Sequence, residues 1–218
     1  MQILINGSRK AVEEHAHLLP LGYMVNPGGG VNVTEAAASG LDWGLDNGAF
    51  GETPEWKFWR AVRQIRRHPR GQWGLKFVVP PDVPFSGRGT IEKFWGWMSC
   101  LASPDESLDL PLALVGQNGT EDCDWDFMFG FSSCFFIGGD DTWKESDTAA
   151  DLARHAKARG QWVHMGRVNS VKRLRIAIRM GCDSVDGTGL TKHSRNSLPL
   201  LARHVFPRYR DVPWEVVP

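Results

Sequence analysis

The sequence predicts a single (β/α)8 barrel, an α/β TIM-barrel fold, on three observations. Short β-branched or apolar runs alternate with amphipathic stretches of helical period, the pattern of parallel βαβ units rather than of a sandwich. About eight such runs occur, which suits a compact barrel with trimmed loops. The residues that follow each run are repeatedly polar or glycine, and the carboxyl ends of barrel strands are where such folds carry their chemistry.

The expected strands are Gln2 to Ile5, Tyr23 to Val25, Leu41 to Leu45, Gly74 to Val79, Leu112 to Gly116, Cys134 to Ile137, Trp162 to Met165 and Asp183 to Val185. Helices are expected over Pro54 to His68, with proline in the first turn, and over Thr90 to Ala102, Thr148 to Arg159, Ser170 to Met180 and Ser197 to Val205. Asp147 or Thr148, and Ser170, fit N-caps, while Gly160 and Gly181 fit left-handed helix ends. In the first quarter, Ala11 to Leu19 and Thr34 to Ser39 are short for barrel helices, and Asn26-Pro-Gly-Gly-Gly30 reads as a loop.

With 218 residues, 42% of them hydrophobic, the chain can bury one sizeable core, so a single domain spanning 1–218 is expected. No long apolar run marks a membrane helix, and the start MQILINGSRK turns polar too soon for a signal peptide. A cytoplasmic protein with no membrane partner is the expectation. Cys100, Cys123, Cys134 and Cys182 are too widely spaced for a disulfide framework or a paired zinc motif and read as reduced, mostly buried thiols. His15-x-His17 beside Glu14 reads as a chance pair among scattered histidines rather than a metal site.

Net charge is zero, but the signs are segregated. Residues 54–93 hold nine Lys/Arg against three Asp/Glu, residues 100–150 one against eleven, and residues 151–218 thirteen against five. Such segregation suits either solvated helix faces or a basic groove for nucleic acid.

The third expected strand runs into Asp46-Asn-Gly-Ala-Phe50, the fourth into Pro80-Pro-Asp82 and the fifth into Gln117-Asn-Gly119. The sixth runs into Gly138-Gly139, the seventh into Gly166-Arg167 and the eighth into Asp186-Gly-Thr-Gly189. Each alone is an ordinary turn or bend. Converging on one barrel face, they would place three carboxylates and an amide around a space that glycines open to close backbone approach. Paired carboxylates suit glycosyl chemistry: one attacks an anomeric carbon while the other handles the proton of the leaving group. Asp, Gln and backbone groups can also read a purine edge.

These strand-end segments resemble, in order and approximate spacing, those of the tRNA-guanine transglycosylase family. Asp46-Asn-Gly-Ala-Phe50 is similar to that family's Asp-Ser-Gly-Gly-Phe, and Val115-Gly-Gln-Asn-Gly119 to its Val-Gln-Gly-Gly; Ile137-Gly138-Gly139 matches its Ile-Gly-Gly. The most specific match runs from His164-Met-Gly-Arg through Ala177 and Gly181 to Asp183-Ser-Val-Asp186, which resembles the family's Met-Gly-Val-Gly, helix and Gly-x-Asp-x-Phe-Asp block. The resemblance covers Leu41 to Gly189. It implies Asp186 as nucleophile, Asp46 as the acid/base carboxylate, Asp183 as a structural neighbour, and Asp82, Gln117, Gly138 and Gly139 as groups that hold the purine. It further implies Asn47, Met165 and Gly166 as substrate-binding positions, with Arg167, Lys192 and Arg195 as phosphate contacts.

The departures are equally specific. The family's Cys-x-Cys-x-x-Cys plus His zinc site is absent, Gly187-Thr-Gly189 stands where Pro-Thr-Arg follows the nucleophile, and no counterpart of the RNA-binding tail is found. What is lost belongs to the tRNA-binding side, so the resemblance is nearer to the shortened phage and bacterial enzymes that insert 7-deazaguanine bases into DNA. It implies DNA as partner before tRNA, a 7-deazaguanine base as second substrate, host cytoplasm if phage-encoded, no ATP or redox cofactor, and compatibility with a homodimer. A glycosidase or nucleosidase using the same carboxylates, and a barrel that binds nucleic acid without catalysis, are the competing expectations.

Overall fold

The computed structural model describes residues 1–16, 19–51, 53–101, 110–189 and Leu198, the side chains of 99–101 excepted. Eight parallel strands form one ring: β1 (Gln2–Asn6), β2 (Leu21–Val25), β3 (Trp43–Leu45), β4 (Leu75–Val78), β5 (Ala113–Gly116), β6 (Cys134–Ile137), β7 (Trp162–Met165) and β8 (Ser184–Asp186). Their order is β4-β3-β2-β1-β8-β7-β6-β5. The ring closes between β4 and β5 through a single parallel bridge, Val78 to Leu112, in which Val78 N–H donates to Pro111 O at 2.8 Å.

Helices α1 (Arg9–His15), α2 (Val33–Ala38), α3 (Glu55–Arg67), α4 (Gly87–Leu101), α5 (Trp125–Phe129), α6 (Asp141–Lys144), α7 (Asp147–Ala158) and α8 (Val171–Arg179) follow the strands. Their starts are set by side-chain caps. Ser8, Asn32, Ser146 and Ser170 each accept a backbone N–H from the first turn, and Asn32 forms a reciprocal capping box with Glu35.

Alternation along the strands separates two cores. Residues pointing outward, among them Ile3, Ile5, Tyr23, Trp43, Leu114, Phe135, Val163, Met165 and Val185, pack against the helices. Residues pointing inward, Leu4, Met24, Phe77, Val79, Ala113, Val115 and Cys134, fill the ring with Phe136 and Trp162 beside them. At the inward position of β3 there is no side chain. A Cβ on Gly44 would lie 2.4 Å from the Phe77 ring, so the glycine is what lets that buried phenyl cross the barrel.

Strand and helix types agree with the sequence reading, with boundary differences that have physical causes. The N-cap of α7 is Ser146 rather than Asp147 or Thr148, because its hydroxyl reaches Ala149 N–H at 3.2 Å. Pro54 occupies the N-cap of α3 instead of its first turn. The eighth strand runs one residue further than expected, so Asp186 ends the strand itself. The short helices α5 and α6 have no counterpart in the reading; at five and four residues they are too brief to show a period. The expected helix Ser197 to Val205 lies outside the described residues except for Leu198, which is buried. Among the described residues no helix is long and apolar enough to cross a membrane.

Gly44→Ala should lower unfolding stability by roughly 2 kcal/mol, since its new methyl would meet the ring of the fully buried Phe77. Urea titration checks this, and an unchanged midpoint would show that the ring has room to shift.

Candidate active site at the barrel mouth

One inward step beyond the apolar filling, the side chains change character. Asn6 ends β1, Asn26 follows β2, Asp46 follows β3, Gln117 follows β5, Gly138 follows β6, Gly166 follows β7 and Asp186 ends β8; all line one cavity of about 350 Å³ at the carboxyl rim. Asn47, Phe50, Asp82, Lys144, Arg167 and Thr188 complete much of its wall. Polar groups thus meet on one face because each sits two residues past an inward-pointing position of its strand.

Asp186 is held from behind by its own strand neighbours. Trp162 Nε1–H donates to Ser184 Oγ at 2.8 Å, Ser184 Oγ lies 2.8 Å from His164 Nδ1, and His164 Nε2 lies 3.1 Å from Asp186 Oδ1. With the serine proton directed to Nδ1, the imidazole is left with Nε2–H aimed at the carboxylate. His164 and Ser184 are fully buried, so they orient Asp186 and cannot themselves meet a substrate. Arg167 backbone N–H also donates to Oδ1, at 3.2 Å. Oδ2 has no hydrogen-bond partner among the described residues, and it is the oxygen left for chemistry in the cavity.

Asp46 sits in the same space with a different environment. Burial, and then the charge of Asp186, pushes its carboxyl up to about 7, against the backbone N–H groups of Asn47 and Gly48 that pull it down. Asn26 Nδ2 approaches its Oδ2 at 3.3 Å. Two carboxyl groups thus face one cavity in different surroundings, Asp186 anchored through one oxygen and Asp46 with its titration raised by burial.

Asp82, Asn47 and Gln117 form a third cluster. Asn47 Nδ2 donates to Asp82 Oδ1 at 2.8 Å and to Pro80 O at 2.9 Å, while Gln117 Nε2 donates to Asp82 Oδ2 and Gln117 Oε1 accepts from Phe85 N–H. Burial raises the Asp82 carboxyl above its ordinary range despite these donors. A ligand that uses these groups must replace bonds they already make to one another.

No family model matches the chain, and no curated protein matches it. Among solved structures it is similar to a mandelate oxidase variant in complex with 2-hydroxy-phenylacetamide, with a TM-score of 0.52 and 16% identity over 87% of this chain. The chain spans 64% of that structure, less than two thirds of its length. A likeness at this identity shows the shared barrel fold, and chemistry has to be read from the site itself.

Of the residues singled out from sequence, Asp46, Asn47, Asp82, Gln117, Gly138, Gly166, Arg167 and Asp186 line the cavity together. Met165 does not: it points outward into the core between strands and helices, because alternation turns His164 and Gly166 inward on either side of it. Gly139 does not line the cavity either, and its carbonyl accepts from the Arg167 guanidinium. That guanidinium also lies 4.3 Å from the Phe50 ring centre and 5.4 Å from that of Phe85. Asp183 is structural, accepting from Lys157 and from Val163 N–H at the far end of β8. Lys192 and Arg195 lie outside the described residues. Among the described residues no group of three or more His, Cys, Asp and Glu is placed to hold a metal.

Several contributors were not singled out. Phe50 and Phe85 meet edge to face at 5.4 Å over the mouth although both are substantially exposed. Phe85 and Arg167 are the two non-glycine residues with positive φ, 64° and 59°, among the described residues, and both belong to this rim. Such strain, about 1 kcal/mol or more each, persists where surrounding contacts impose it. Lys144 is fully buried, donates to Gly166 O at 2.8 Å, and is brought down to about 7 by burial and by Arg167 and Arg173. Its sequence signal was present: it is the lone cation of the acidic stretch 100–150.

Because the folded Asp46 carboxyl titrates at about 7 instead of its ordinary 3.8, its contribution to stability is intact at low pH and lost as pH rises through about 7. Solvent reaching the cavity mouth reduces the size of the effect. Asp46→Asn should therefore gain on the order of 2 kcal/mol relative to the parent between about pH 5 and about pH 8. Denaturant titrations of both proteins across that range check it; parallel curves would mean that Asp46 is ionised throughout.

Proposed function

We propose that the chain is a pentosyltransferase that exchanges a guanine base on a nucleic acid, DNA before tRNA, for a 7-deazaguanine base through a covalent ester on Asp186. The observation that carries this reading is the pairing of Asp186, with one oxygen anchored and the other open to the cavity, with a neighbouring acid near neutrality. The order of strand-end segments set out above supports the same chemistry.

In the first half-reaction Asp186 Oδ2 attacks C1′ of the target nucleotide. The C1′–N9 bond breaks, its electron pair stays with the departing guanine, and the protonated Asp46 carboxyl supplies the proton that neutralises it. In the second, the N9–H of the incoming base gives its proton to the Asp46 carboxylate as N9 attacks C1′ and expels Asp186. Two displacements give net retention, and atoms and charge balance without any further reagent. Asp82, Gln117 and Asn47 supply carboxylate and amide groups for the purine edge once it displaces their mutual bonds, and the Gly138 backbone lies open beside them.

The target must leave its stack to reach this cavity, at a cost of a few kcal/mol. Phe50 and Phe85 offer ring surface at the entrance that offsets part of that cost. The same rings and the Arg167 side chain narrow the mouth, which favours capture of the ester by a second base over capture by water and so favours transfer over hydrolysis.

Asp186→Asn should abolish incorporation of labelled guanine into DNA, by about a thousandfold or more, with the fold retained. Asp46→Asn should slow it by at least about a hundredfold. Exchange assays with thermal melts of each variant check both. Full activity of Asp186→Asn would remove the ester mechanism, and release of free base without incorporation would identify a hydrolase instead.

A further inference from the structure

Beside the mouth lies a second cavity, of about 280 Å³, between the 25–33 segment and the side of α3 that faces it, with Trp56, Lys57, Arg60 and Gln64 on its helix side. Asn26 lines both cavities, and its side chain joins them: Nδ2 approaches Asp46, while Oδ1 accepts from Gly28 N–H at 2.7 Å.

Helix α3 carries its charge differently from α1 and α4, and from α8, whose Lys172 and Arg173 pair with Glu145 and Asp141. Arg9 and Lys10 on α1 and Arg88 on α4 each face a glutamate four residues on in the same helix. In α3 five basic residues accompany one acid, Glu55, and that acid pairs with Lys93. Lys57, Arg60, Arg63 and Arg67 have no carboxylate partner among the described residues. Trp56, Arg60, Arg63 and Arg67 fall on one stripe at helical spacing, all exposed, and the Trp56 indole is 56% exposed at the end nearest the mouth. Like charges at this spacing oppose one another within the helix, which a polyanion on the stripe would relieve. Acidic side chains collect elsewhere, at Glu121, Asp122, Asp124 and Asp126 after β5, so the surface offers a polyanion one side of the rim and repels it from another.

We propose that the 26–30 loop and the α3 stripe form the track for the phosphodiester backbone flanking the extruded nucleotide, with Lys57 and Arg60 on phosphates and Trp56 stacked on a neighbouring base. It rests on the nucleic-acid reading given above and assigns the strand its path. Exposed glycines at 28–30 let the backbone pass close to the loop.

The test is fluorescence anisotropy of a labelled guanine-containing DNA oligonucleotide across a salt series. Lys57→Ala/Arg60→Ala should bind about tenfold more weakly and lower the slope of log affinity against log salt by about two. Trp56→Ala should weaken binding by about tenfold with the slope unchanged. Lys57→Arg/Arg60→Lys should bind as the parent does, which guards against a folding defect. Lys10→Ala/Arg154→Ala, which removes equal charge from ion-paired positions, should have little effect. Equal weakening by both alanine pairs, an unchanged slope for Lys57→Ala/Arg60→Ala, or no binding by the parent would overturn the track. Binding that depends on α3 without any base exchange would uphold the track and remove the transglycosylase reading.

Discussion

Successive side chains of a strand point to opposite faces, and closing parallel strands into a ring turns that alternation into an inside and an outside. The site depends on this constraint. Above Leu4 comes Asn6, above Met24 Asn26, above Gly44 Asp46, above Val115 Gln117, above Phe136 Gly138, and above Ser184 Asp186; each second member lines the cavity. A slip of one residue in any strand would exchange its polar group for an outward apolar one. The single β4–β5 bridge matters for the same reason, since it holds Asp82 and Gln117 on adjacent strand ends within hydrogen-bonding reach.

The inner layer also does electrostatic work. Phe77 and Phe136 flank His164, with ring centres 4.9 and 4.7 Å away, so the imidazole that orients Asp186 is itself fixed by packing. Above it, Asp46 and Lys144 are both drawn towards neutrality, from opposite sides, by the same poor hydration. A cavity that discourages isolated charge is one in which a proton can move between an acid and a leaving base at modest cost. The strained Phe85 and Arg167 close this environment at the rim, where their contacts to Gln117, Phe50 and Gly139 hold them.

The barrel was legible because its main signal is periodic and repeated: apolar runs of strand length alternating with amphipathic stretches, punctuated by the Ser170 cap and the glycine helix ends at 160 and 181. Asp46, Asp82, Gln117 and Asp186 were legible because each follows such a run. Asn6 and Asn26 obey the same rule, and counting by two from Leu4 and Met24 would have found them. Met165 was misplaced because it was matched by motif, where alternation assigns it to the outer core. Lys144 and the Phe50–Phe85 pair come from a short helix and from loops, whose direction no local period encodes. The serine and histidine behind Asp186 needed strand register, which a single sequence does not display.

The most direct test of the central claim is to trap the ester. Incubation with guanine-containing DNA under denaturing quench, without an incoming base, followed by digestion and mass spectrometry, reads which side chain bears the sugar. A hydroxylamine-sensitive adduct on the peptide containing Asp186, absent from Asp186→Asn, is the predicted result. An adduct on Asp46 or Lys144, or base exchange with no adduct at any residue, would contradict the assignment of Asp186 as the nucleophile.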